Sequence, residues 1–145
     1  MSESQRFPVA VHALVYLAHK GARTPAGAVP SAALAASIPT NPVVVRRVTA
    51  ALGKAGLIDA RAGAGGGAWL TVAPEAITLD RVLRAVDGCA HLGVPPAGAR
   101  GCPIGEKIPR VVEAAIRAAD AAAAERLSKI TVADLLAEID ATTAA

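Results

Sequence analysis

The sequence predicts a mainly helical domain in which a helix-turn-helix is followed by a small β-hairpin and then a long C-terminal helix. Three observations carry this reading. Apolar residues recur at helical spacing on both sides of Ile38-Pro39-Thr40, the glycine cluster Gly63-Ala64-Gly65-Gly66-Gly67 separates two short strand-like runs, and an Ala-rich stripe extends from Ile108 to Leu127. The chain is 53% hydrophobic but only 2% aromatic, so its core is built from Ala, Val, Leu and Ile.

Each element follows in order. Val9, Val11, Leu14, Leu17 and Ala18 give an amphipathic helix over residues 5–20, stopped by Gly21. A Pro/Gly loop runs from Ala22 to Pro30. Ser31 offers an N-cap hydroxyl to a short helix ending near Ser37, whose Ala32, Ala33, Ala35 and Ala36 are small enough for a second helix to approach. Asn41-Pro42 is a strong start signal, because the Asn side chain can cap free amides and proline at the first helical position loses no hydrogen bond. That helix runs to Lys54 or Ala55 and is closed by Gly56. At ~100° per residue, Val45, Val48 and Leu52 share one side, while Val43, Arg46, Arg47, Ala50 and Lys54 share the other.

Leu57–Arg61 and Ala68–Val72 are the two strands of the hairpin. Gly63 to Gly67 form its tip; a nucleotide-binding loop is disfavoured there because no Lys-Ser/Thr follows the glycines. Thr78 and Asp80 open a short helix ending near Asp87-Gly88, and an irregular segment then spans Cys89 to Cys102. The long stripe begins at about Ile104, with Pro109 in its first turn or at its true start. A stripe so rich in alanine suits close helix–helix contact, either with its own domain or with another chain. Thr131 with Asp134 caps a last helix to about Ile139.

Composition bounds the function. At 145 residues the chain is one domain's worth, and one Phe, one Trp and one Tyr leave no stacking platform for single-stranded nucleic acid. No apolar run approaches the ~20 residues that span a bilayer, and the first residues resemble no signal peptide, so the expectation is a cytoplasmic protein that does not enter membranes. Charge is divided unevenly. Residues 1–72 hold seven Lys/Arg against Glu3 and Asp59, a balance of +5, whereas the remainder holds eight against ten acids, a balance of −2. A basic front half is suited to a polyanion, and three cations around Ala50 on one helix face suit the major groove of DNA; a merely solvated face is the alternative. An enzyme is disfavoured, since His12, His19 and His91 lie in segments that suggest no common pocket.

The segments Phe7-Pro8-Val9-Ala10-Val11-His12-Ala13-Leu14, Asn41-Pro42-Val43-Val44-Val45-Arg46-Arg47 and Ala55-Gly56-Leu57-Ile58, followed by the glycine-rich turn, resemble the Rrf-two family of bacterial winged-helix transcriptional regulators. Ile77-Thr78-Leu79-Asp80-Arg81-Val82, Cys102-Pro103-Ile104-Gly105-Glu106-Lys107-Ile108 and Ile130-Thr131-Val132-Ala133-Asp134-Leu135-Leu136 extend the likeness across the chain, toward the YwnA-like branch in particular. It departs at Ala62, where the family often has an arginine before the first wing glycine; here Arg61 stands one residue earlier.

The resemblance implies a DNA-binding regulator, expected to be a repressor, with a winged-helix region over residues 1–76. Residues 77–145 then supply a linker helix, a cysteine-bearing loop and dimerisation helices within one compact domain overall. The expected partners are a palindromic double-stranded operator and a second copy of the chain. Candidate DNA contacts are Ser31, Thr40, Asn41, Val43, Arg46, Arg47, Lys54, Arg61, Gly65 and Gly66, and the candidate dimer seam is Val112, Ile116, Ala119 and Ala123.

Iron–sulfur relatives carry three cysteines where this chain has only Cys89 and Cys102, so the expected state is cofactor-free. A 2Fe-2S cluster completed by His12 or His91 is the alternative. Cys102 precedes a helix N-terminus, whose amides favour a thiolate, which makes Cys102 the expected redox-sensing thiol with Cys89 as its partner; inert thiols are the competing reading. A winged helix that binds protein rather than DNA is the remaining alternative.

Overall fold

The computed structural model describes residues 5–88 and 92–144. Six helices and one hairpin follow in order: α1 (Arg6–His19), α2 (Ser31–Ser37), α3 (Pro42–Lys54), β1 (Ile58–Arg61), β2 (Gly67–Leu70), α4 (Leu79–Val86), α5 (Pro103–Leu127) and α6 (Val132–Ala144). The core is aliphatic. Ala10, Leu14 and Leu17 of α1 are fully buried against Val48 and Leu52 of α3, Leu57 and Leu70 at the hairpin base, Val82 of α4 and Val132 of α6. One apolar cluster thus joins the front of the chain to its rear, with α1 at its centre.

Several elements start where local chemistry dictates. Asn41 Oδ1 accepts a hydrogen bond from the Val43 amide at 2.9 Å and Pro42 fills the first position of α3. Thr131 and Asp134 form a reciprocal box at the start of α6: the Thr131 amide donates to Asp134 Oδ2 at 2.9 Å and the Asp134 amide to Thr131 Oγ1 at 3.1 Å. Removing it with Thr131→Ala should cost about 1 kcal/mol of stability, read as a lower urea midpoint at unchanged slope.

Other expectations need correction. Ser31 does not cap α2; Pro30 holds the N-cap position without a side-chain hydrogen bond, and Ser31 is already helical. Pro30's fixed φ of −58° sets the entry to the helix instead. Ala32, Ala35 and Ala36 are exposed rather than covered by a second helix of the described residues, because α2 is held to the core through Leu34 and Ile38. The last helix continues past Ile139 to Ala144. Helix α5 begins at Pro103, which leaves Pro109 inside it. Proline there has no N–H for the Gly105 carbonyl, and Gly98 lies against that carbonyl so closely that a side chain would collide with it.

The hairpin is antiparallel, with Ile58 opposite Leu70 and Arg61 opposite Gly67. Its second strand stops at Leu70, short of the expected Val72. On the other edge of β2, Val29 pairs with Ala68 through two hydrogen bonds of 2.9 Å, and the Leu70 amide donates to the Ala22 carbonyl at 2.8 Å. The loop before α2 is therefore a third strand in part. Gly67 permits this approach, since its φ is +153° and a Cβ would strike the Val29 carbonyl. Gly67→Ala should destabilise the fold by more than about 1 kcal/mol and release the hairpin tip, measured as faster amide exchange at Ala68.

Candidate nucleic-acid interface

Helix α3 buries Val45, Val48 and Leu52 and turns its opposite side outward, so the aliphatic seam fixes which residues reach solvent. Val43 is 40% exposed, and Arg46, Arg47, Ala50 and Lys54 are exposed beside it. Two pockets border this face. On one flank, a cavity of about 680 Å³ lies between the start of α2 and the hairpin, lined by Ser31, Thr49, Arg61, Gly65 and Gly66 among others. On the other, Arg6 of α1 joins Val44, Arg47, Ala50, Ala51 and Lys54 around a cavity of about 380 Å³.

The expected contact residues thus fall into two groups around one helix. Arg46, Arg47, Lys54 and Val43 form its exposed face, while Ser31, Arg61, Gly65 and Gly66 flank it across the groove toward the hairpin. Asn41 is committed to capping α3, and Thr40 Oγ1 donates to Gln5 Oε1 at 3.1 Å, which leaves their polar atoms partly engaged at the turn. Thr49 and Arg6 were not expected. Thr49 sits on the groove wall with its hydroxyl turned back to the Val45 and Arg46 carbonyls, both at 3.0 Å. The signal that could have found Arg6 is its place at the very start of α1, the one basic residue of that helix's first turn.

Cys102 occupies the N-cap of α5, where its exposed Sγ accepts a hydrogen bond from the Gly105 amide at 3.3 Å. Cys89 and His91 lie outside the described residues. His12, the alternative cluster ligand, is exposed on α1 and its Nε2 is 2.9 Å from Ser37 Oγ. Among the described residues no three His, Cys, Asp or Glu side chains converge on a point that could hold a metal ion.

Helix α5 has no buried residue along its 25 positions. Its apolar residues split into two adjacent strips. Ile116, Ala123 and Leu127 are half-buried, with Val112 beside them at 37% exposure, whereas Ile104, Ile108, Val111, Ala115 and Ala119 are exposed on one continuous face. Elsewhere, Phe7, Pro8, Val11 and Val15 of α1 with Leu135 and Ile139 of α6 line an apolar groove of about 710 Å³. No helix among the described residues is long and apolar enough to cross a membrane.

Comparisons with known proteins agree with this architecture. Residues 3–138 match the Rrf2 (Rrf-two) family, described as iron-dependent transcriptional regulators. YwnA of Bacillus subtilis, described as an HTH-type transcriptional regulator, is 35% identical over 104 residues, spanning 71% of this chain and 77% of that protein. A crystal structure from Lactobacillus plantarum, described as a transcriptional regulator, superposes with a TM-score of 0.77 at 28% identity, covering 94% of this chain and 90% of that one. CymR, the global cysteine regulator of B. subtilis, shares the fold with a TM-score of 0.64 at 23% identity over 95% of this chain and 98% of its own. With a family match spanning nearly the whole chain, and a helix-turn-helix and hairpin that present one cationic face, the chain belongs to the Rrf2 family of transcriptional regulators.

Proposed function

We propose that the chain acts as a homodimeric repressor that inserts α3 into the major groove at each half of a palindromic operator and responds to oxidants through Cys102. The observation that carries the DNA-binding part is the outward face of α3. Two guanidinium groups and an ammonium stand around small Ala50, a shape that lets the helix approach base edges while the cations reach guanines or phosphates. Dimerisation is supported by α5, because a helix of this length with an unburied aliphatic face is stabilised by a partner surface rather than by its own chain. A two-fold axis at that face would pair two recognition helices with two half-sites.

The sensing part rests on Cys102 at its exposed helix start. Peroxide converts a thiolate to a sulfenic acid, with loss of hydroxide from the cleaved O–O bond. A second thiol, Cys89 or a cysteine of the other subunit, then displaces the sulfenic oxygen as water and forms a disulfide. Because Cys102 begins α5, such a bond would move the segment that enters the dimer helix and change the spacing of the two recognition helices.

Gel-shift titration before and after peroxide or diamide tests this reading. Operator affinity should fall on oxidation and return with dithiothreitol, and Cys102→Ser should remove the response while leaving reduced-state binding intact. Binding that is equal before and after oxidation, with colourless protein, eliminates oxidant sensing. A visible absorption band in anaerobically purified protein that Cys102→Ser bleaches assigns the cysteine to a 2Fe-2S cluster instead. Operator binding unaltered by loss of the α3 arginines would leave a protein-interaction module.

A further inference from the structure

The pocket on the α1 flank of α3 gathers three cations from two helices, Arg6, Arg47 and Lys54, over an aliphatic floor of Val44, Ala50 and Ala51. Among the described residues no acidic side chain lines it. Like charges brought together in this way favour a negative group beside them, so the arrangement is complementary to an anion. Arg6 is steered from behind: its Nε is 3.9 Å from Asp87 Oδ1, at the C-cap of α4, while its side chain remains 47% exposed.

The two borders of α3 differ in chemistry. Thr49 turns toward the hairpin groove with Ser31 and Arg61, whereas Arg47, Ala51 and Val44 turn toward Arg6; at ~100° per residue Arg46 lies on the Thr49 side of Arg47. A helix lying in the ~12 Å major groove has a phosphate strand on each side, and here each side has its own basic or hydroxyl-bearing wall. We propose that the Arg6–Arg47–Lys54 pocket seats a backbone phosphate of the strand opposite the wing, which makes Arg6 a DNA-contacting residue and α1 part of the interface. The assignment rests on the reading of α3 as the recognition helix, and it adds a contact that carries no base information, because a phosphate is the same at every position.

The test is the salt dependence of binding for the full chain, measured by fluorescence anisotropy on two probes. One is a duplex that the parent selects from a random-sequence library; the other is a mixed-sequence duplex. Arg6→Ala should lower the slope of log affinity against log salt by about 0.9 for each protomer bound, on both duplexes, with the ratio of the two affinities unchanged. Arg6→Lys should restore the slope. Asp87→Asn separates the phosphate contact from the ion pair: it breaks the pair and keeps the cation, so its slope should stay at the parent value.

A parent slope in Arg6→Ala overturns the phosphate pocket, as does a fall in Asp87→Asn equal to that in Arg6→Ala. So does saturable calorimetric binding of inorganic phosphate that Arg6→Ala abolishes while the DNA slope stands, since the site would then serve a free anion. If the parent binds neither duplex, the recognition-helix reading fails together with the pocket, an outcome distinct from normal parent binding with unchanged slopes.

Discussion

Operator binding should collapse in the Arg46→Ala/Arg47→Ala variant. Both side chains are exposed on α3 and neither packs in the core, so the fold should survive their removal. Each guanidinium that clamps a guanine edge is worth about 1–3 kcal/mol, and a two-fold complex loses every such contact twice. Gel-shift titration should therefore show the specific complex disappearing, while thermal unfolding of the free protein stays close to that of the parent. Arg47 lines the pocket shared with Arg6 whereas Arg46 lies ~100° away around α3, so the single variants should weaken binding by separate routes. Parent-like affinity in the double variant would remove α3 from the interface.

The second large effect is expected from Ala119→Glu. Ala119 is exposed in the single chain and lies on the free face of α5 with Val111 and Ala115. A glutamate there changes little in a lone helix, since both residues are good helix formers. Across a two-fold seam it would place two carboxylates in an apolar contact, where an unpaired buried charge costs several kcal/mol. Sedimentation velocity should show monomers with parent-like helicity by circular dichroism, and the palindromic duplex should no longer be bound as a two-to-one complex. An unchanged dimer would move the interface away from this face of α5, and the apolar groove between α1 and α6 would be the next surface to test.

What the sequence disclosed depended on the range of the interaction. Asn41-Pro42 and the Thr131/Asp134 box are contacts within four residues, so side-chain chemistry alone locates the starts of α3 and α6. Ser31 misled because its neighbour Pro30 already fixes the entry to α2, and a serine one place inside a helix is a different object from one at its cap. The pairing of Val29 with Ala68 was not readable, since it joins distant segments and leaves no periodic mark in either. The exposed face of α3 follows from its periodicity, but Arg6 enters the picture only when α1 packs across that helix. The same applies to α5: its stripe is visible in sequence, whereas its division into half-buried and free strips is set by tertiary packing.

The hydrogen bonds that fasten Val29 to Ala68 bear on the entropy of association. A two-stranded hairpin alone is only marginally ordered in water, and a glycine-rich one loses the most freedom when it is immobilised. Here β2 is gripped on both edges, and its second neighbour continues through Pro30 directly into α2. The base of the wing and the helix-turn-helix consequently move as one body, and part of the ordering that a loose wing would undergo on meeting a duplex is completed when the chain folds. Tightening this joint should slow dissociation more than it speeds encounter, while loosening it should make binding more enthalpic and less tight, a preorganisation set by residues that touch no nucleotide.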